Sequence, residues 1–139
     1  MTITASTLSA GTHATINATQ TDPAGNTSVA SGNLSVTIDM TAPTISTITP
    51  ITTPTSDTTP NYTFTTSEAG TITYGGSCSS VTTSAVLGNN TITLNTLTPA
   101  TYTNCTISMR DVSGNLSSTL TIPSFTISTT PSGGGGGGG

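Results

Sequence analysis

The chain has 139 residues, a formal net charge of −4 and only 4% charged residues; Arg110 is its one arginine and lysine is absent. Ordinary globular chains carry roughly 25% charged residues, so Thr and Ser have to supply most of the polar surface here. Nucleic acid and anionic membrane are poor partners without a basic cluster, and no apolar run approaches the ~20 residues that span a bilayer.

The length allows one complete domain and part of another. Residues 1–30 lack the charged-then-apolar form of a signal peptide, so a secreted protein would take its export signal from outside this sequence. In chain order, residues 1–39 read as three strands. Their pattern returns 89 residues later without a gap: Thr2-Ile3-Thr4 falls on Thr91-Ile92-Thr93, and Leu8 on Leu97. Likewise Gly11-Thr12-His13 falls on Ala100-Thr101-Tyr102, Asp22-Pro23-Ala24-Gly25-Asn26 on Asp111-Val112-Ser113-Gly114-Asn115, and Val36 and Ile38 on Phe125 and Ile127. A period of this size is that of an immunoglobulin-like β-sandwich, and not of a helical solenoid or a short β-helix coil.

The complete copy is expected from about Ala42 to Thr129. Apolar residues alternate with Thr or Ser, the period-two signature of half-buried strands, and branching at Cβ favours the extended backbone. Strand A is placed near Ile45–Thr49, B at Asn61–Thr66, C at Thr71–Gly75 and a short strand near Thr82–Leu87. Strands E, F and G follow at Thr91–Leu94, Tyr102–Arg110 and Leu116–Ile127, the last broken near Pro123. Pro and Gly-Asn clusters punctuate them, and no amphipathic helix is predicted. The expected fold class is therefore all-β: a complete sandwich repeat over 40–129, preceded over 1–39 by strands E, F and G of a partial repeat. Three strands cannot bury a sandwich core on both faces, so either the chain belongs to a longer array or another chain supplies the missing strands. Residues 130–139 are a glycine-rich tail or linker.

Thr37-Ile38-Asp39-Met40-Thr41-Ala42-Pro43, the two Asp-x-x-Gly-Asn turns and Thr66-Ser67-Glu68-Ala69-Gly70 together resemble bacterial immunoglobulin-like repeats, the tandem domains of large surface adhesins and biofilm proteins. The resemblance covers the chain up to the glycine tail. It implies an extracellular or cell-surface spacer that holds a binding tip away from the cell, with neighbouring repeats of the same protein as partners. Some members of the family bind calcium between domains.

The acids fit that expectation. Glu68 falls in the B–C turn, Asp111 in the F–G turn, and Asp39 just before strand A, which starts at the pole where those loops lie. Three carboxylates brought together repel unless neutralised, and Ca²⁺ accepts oxygen ligands flexibly. The alternative is that Asp22 and Asp111 only close Asx-type turns ahead of Gly-Asn. Ser128 falls where Asp39 does, and Asp57 is the only acid expected near the far pole, so no strong site is expected there.

Cys78 follows strand C and Cys105 begins strand F, neighbouring antiparallel strands at one pole. A disulfide within that sheet is expected, with two buried thiols as the alternative; a bridge favours an oxidising, extracellular setting. His13 stands where Tyr102 does, at the corner entering strand F, and is read as its structural substitute. Asn-x-Ser/Thr sequons occur at Asn17, Asn26, Asn33, Asn61, Asn89, Asn104 and Asn115, a weak signal in a chain this rich in Thr and Ser. Without lysine, Lys–Asn isopeptide bonds cannot form.

No nucleophile–base arrangement is visible, and the expectation is that the chain is not an enzyme. The main rival is a self-assembling subunit of a filament or surface sheath, completed by β-strand addition between chains. A ligand- or ice-binding face built on Thr-x-Thr pairs would need a flat ranked array, whereas these pairs belong to different twisted strands.

Overall fold

The computed structural model of the protein describes residues 8–129. The Thr2-Ile3-Thr4 portion of the repeat match and the glycine tail lie outside the described residues. Among the described residues the regular structure is all strand, with no helix, and the chain divides into two compact units, Met1–Thr41 and Ala42–Gly139.

In the first unit, β1 (Gly11–Ile16) pairs antiparallel with β2 (Leu34–Ile38). Between them the chain turns back at Asp22–Asn26 and closes a single bridge from Thr21 to Thr27.

In the second unit, β3 (Ile45–Thr49), β4 (Asn61–Thr66), β5 (Gly70–Gly75), β6 (Ser84–Ala85) and β7 (Gly88–Thr93) are followed by β8 (Ala100–Tyr102), β9 (Thr106–Asp111), β10 (Leu120–Thr121) and β11 (Phe125–Ile127). One antiparallel sheet has the order β3-β4-β7, a second has β10-β9-β5-β6, and β8 pairs with β11. After β3 the chain crosses to β11: Thr55 bridges Ile127 in parallel, donating to Thr126 at 3.0 Å and accepting from Ser128 at 2.8 Å. The arrangement is consistent with a β-sandwich.

The core follows from alternation. On β4 every second side chain, Tyr62, Phe64 and Thr66, is buried. Ile107 and Met109 on β9 face inward at 0% exposure, and Phe125 and Ile127 on β11 at 1% and 2%. Full burial of each such side chain contributes about 1.5–3 kcal/mol. Polar atoms that enter the core find partners: the Tyr62 hydroxyl meets Thr47 Oγ1 at 2.7 Å, and Ser117 Oγ accepts the Met109 N–H at 2.8 Å. No buried side-chain nitrogen or oxygen among the described residues lacks a hydrogen bond.

The structure departs from the expected strands in several places; the short strand expected near Thr82–Leu87 is confined to Ser84–Ala85, and the strand expected from Leu116 begins at Leu120. The strand expected over Tyr102–Arg110 is two strands, because the chain leaves β11 after Tyr102 and joins β5 from Thr106. The strand expected from Thr91 begins at Gly88, since Asn89 and Asn90 pair with Thr65 and Phe64.

The repeat extends to individual hydrogen bonds. Gly11, Thr12 and His13 face Ile38, Thr37 and Val36, while Ala100, Thr101 and Tyr102 face Ile127, Thr126 and Phe125, the same register shifted by the repeat length. Thr21 bridges Thr27 as Arg110 bridges Leu116. Ser28 N–H donates to Gln20 at 2.8 Å as Ser117 N–H does to Met109 at 2.8 Å. The β1–β2 pair and the β8–β11 pair, each with its turn, are thus built with the same local chemistry.

Candidate metal-binding loops

The turn after β9 is organised by one carboxylate. Asp111 Oδ1 accepts the Asn115 backbone N–H at 2.8 Å and Oδ2 accepts the Asn115 side-chain amide at 2.8 Å. The Gly114 N–H closes onto the Asp111 carbonyl, and Gly114 sits at φ +96°, a backbone region open to glycine. Asp22 and Asn26 repeat this turn in the first unit, with contacts of 2.8 and 2.9 Å. The two Asp residues differ in burial: Asp111 is only 7% exposed, whereas Asp22 is exposed. Burial pushes the Asp111 carboxyl up, but the hydrogen bonds from Asn115 and from the Gly114 and Ser113 N–H groups outweigh it, and its pKa lies below the ordinary aspartate value. Asp22 is held low mainly by the side-chain and backbone hydrogen bonds of Asn26.

Glu68 sits in the turn between β4 and β5. Thr66 Oγ1 accepts the Glu68 N–H at 3.3 Å and donates to the Glu68 carbonyl at 2.9 Å. The Ser67 N–H donates to Thr44 at 3.0 Å, and Ser67 Oγ returns the contact by accepting the Thr44 N–H at 2.9 Å. Register then brings this turn to Asp111: Gly70, two residues on, faces Asp111 across the β5–β9 ladder. An added Cβ at Gly70 would strike the Arg110 backbone carbonyl, so the close approach of the strands depends on that glycine.

Within this unit, a carboxylate oxygen of Glu68 and one of Asp111 lie within 4.8 Å of each other. Two oxygens on one Ca²⁺, each at about 2.3–2.6 Å, are at most about 5 Å apart, so the pair fits a shared calcium ion. Asp39 belongs to the first unit, directly after β2, where its Oδ1 accepts the Thr41 N–H at 3.0 Å. Asp57 is committed to its own turn, accepting the Thr59 N–H at 2.9 Å and the Thr59 hydroxyl at 3.2 Å.

Cys78 and Cys105 are joined in a disulfide, with Cα atoms 5.2 Å apart and both residues buried. It ties the loop after β5 to the entry of β9, next to the Asn104–Ser77 contact of 3.1 Å. His13 Nε2 lies 2.9 Å from the Ser9 carbonyl, and because a carbonyl can only accept, this nitrogen carries the proton. Several sequon amides are already engaged: the Asn26 and Asn115 side-chain nitrogens donate to their turn aspartates, and that of Asn17 donates to Asn33 at 3.1 Å.

Sequence reasoning missed two features of these loops. One is the deep burial of Asp111, and the other is the role of Thr66 in fixing the Glu68 backbone. Both follow from the pairing of β5 with β9 and β4 with β7, which brings together residues distant in sequence. No helix among the described residues is long and apolar enough to cross a membrane. Searches against family models, curated proteins and solved structures give no match to this chain.

Proposed function

We propose that this chain is a spacer segment of an extracellular, adhesin-type surface protein, built from tandem immunoglobulin-like repeats and stiffened by calcium. The observation that carries this reading is the repetition itself: strand register and Asp–Asn turn recur 89 residues apart. Selection for a binding pocket would not require the same turn twice, whereas an array of stacked modules does.

The strand neighbours support the immunoglobulin-like reading. Taken as A, B and E, β3, β4 and β7 share one sheet, and taken as C, F and G, β5, β9 and β10 share another, a division that agrees with that fold. The disulfide supports an oxidising, extracellular location.

In the calcium reading, Glu68 and Asp111 provide two carboxylates, and Asp39, three residues ahead of Ala42 in the chain, is the third acid that the sequence offers. The ion would neutralise like charges and tether the segment entering β3. No redox or Lewis-acid chemistry is needed; the metal's part is mechanical.

The competing reading is a filament subunit completed by β-strand addition between chains. Light scattering on the size-fractionated protein separates the two. A spacer segment gives the monomer mass at every concentration, while growth of polymer with concentration would overturn the spacer reading.

A further inference from the structure

In the second unit, β9 and β11 are covered. β5 runs along β9 from Gly70 opposite Asp111 to Gly75 opposite Thr106, and Ile107, Met109, Phe125 and Ile127 are all but inaccessible. The first unit repeats the β8–β11 register and the bridge at the Asp–Asn turn, and the positions of those four side chains are taken by Ala18, Gln20, Val36 and Ile38. There Ala18 and Gln20 are exposed, and Val36 and Ile38 only half-buried. Among the described residues, the strand edge of residues 17–22 that corresponds to the β5 side of β9 makes no ladder pairing.

We propose that this bare face of the first unit is a docking surface for strands β3–β6 of another copy of the repeat, a segment built as residues 42–89 are. The second unit displays what covers the equivalent face. By sequence, residues 1–10 already align with 90–99, so 42–89 is the stretch without a counterpart in the first unit. The protein's own 42–89 cannot fill the role. It is engaged with β9, and the Cys78–Cys105 disulfide pins it there.

The side chains that differ between the copies specify this occupant further. Ile16 stands in place of Cys105, so the occupant needs no cysteine at the position of Cys78. Ala18 stands in place of Ile107, whose register partner is Tyr74, and leaves volume for the occupant to fill. Gln20 stands in place of Met109, opposite Ile72, and brings an amide that must be hydrogen-bonded once buried. The matching segment is therefore a bulkier, locally more polar relative of β5.

The test joins residues 42–89, carrying Cys78→Ser, ahead of Met1 of the full chain, so that residue 1 follows as residue 90 does in the native sequence. A second version adds Ala18→Ile and Gln20→Met to restore the packing of the second unit. All measurements are made in chelator, which keeps the outcome independent of calcium binding. The expected result is a second cooperative transition in calorimetry and slowing of amide exchange in β1 on the order of 100-fold. Val36→Asp should remove that transition and leave the other in place. Exchange in β1 as fast as in the parent chain, in both versions, would overturn the proposal.

Discussion

The phenol of Tyr102 donates to the carbonyl of Thr98, four residues earlier in the chain, at 2.9 Å. His13 makes the same four-residue contact with Ser9 at 2.9 Å, so one corner is held twice by different chemistry. Tyr102 also stacks on Phe125, ring centroids 5.2 Å apart, which Tyr102→Phe preserves. That substitution should therefore cost only the hydrogen bond, about 1 kcal/mol, measured as a lower urea midpoint with an unchanged slope.

Removing the disulfide should cost more. Cys78 and Cys105 are 27 residues apart, and on a chain-entropy account, opening a loop of that size loses about 3–4 kcal/mol. The double variant Cys78→Ser with Cys105→Ser should melt about 15 °C or more below the parent. A loss of only a degree or two would mean that the reduced unfolded chain is already compact.

Acid should weaken the fold through the two Asp–Asn turns. Asp22 and Asp111 have pKa values below the ordinary one in the folded protein, and an unfolded aspartate titrates near about 3.9. A depressed folded pKa stabilises above the unfolded value, and that contribution disappears as pH falls through the folded value. Melting midpoints should hold from pH 6 to about pH 4 and then drop. The drop should be shallower in Asp111→Asn.

Gly76 tests the close approach of the loop after β5. It has φ +71°, and an added Cβ would run into the backbone carbonyl of Asn104. Gly76→Ala should destabilise by about 2 kcal/mol or more, since strain and collision add. Gly114→Ala, at φ +96° but with nothing near the added Cβ, should cost about 1 kcal/mol. Chemical denaturation of the pair gives the ordering directly.

Much of this was legible in the sequence. The bounds of β3 follow from alternation between Pro43 and Pro50, those of β4 from alternation that starts after Pro60 and ends at Ser67-Glu68-Ala69-Gly70, and the Asp-x-x-Gly-Asn spacing announces its turn. The division of the strand at Tyr102 left a signal that alternation alone overlooks: Tyr102 and Cys105, both buried, are three apart, whereas Cys105, Ile107 and Met109 are two apart. That slip in phase is where the chain changes sheet. The start of β7 was obscured because Gly88-Asn89-Asn90 has turn chemistry. Pairing with β4 overrides it, and the Asn90 side chain supports the preceding loop through Val86 at 2.9 and 2.7 Å. The approach of Glu68 to Asp111 depends on the register of β5 against β9. Local pattern does not encode that register, and only the topology assigned to the chain brings the two loops together.

The calcium-stiffened spacer is tested most directly by the melting midpoint of the full chain in millimolar Ca²⁺ against the same protein in chelator. Extracellular sites bind with dissociation constants of about 0.1–1 mM, so 5 mM ion should add about 1–2 kcal/mol and raise the midpoint by about 5–10 °C. The rise should vanish in Glu68→Gln with Asp111→Asn. Equal midpoints in calcium and in chelator would contradict the account and leave Asp111 as the keystone of a turn and nothing more.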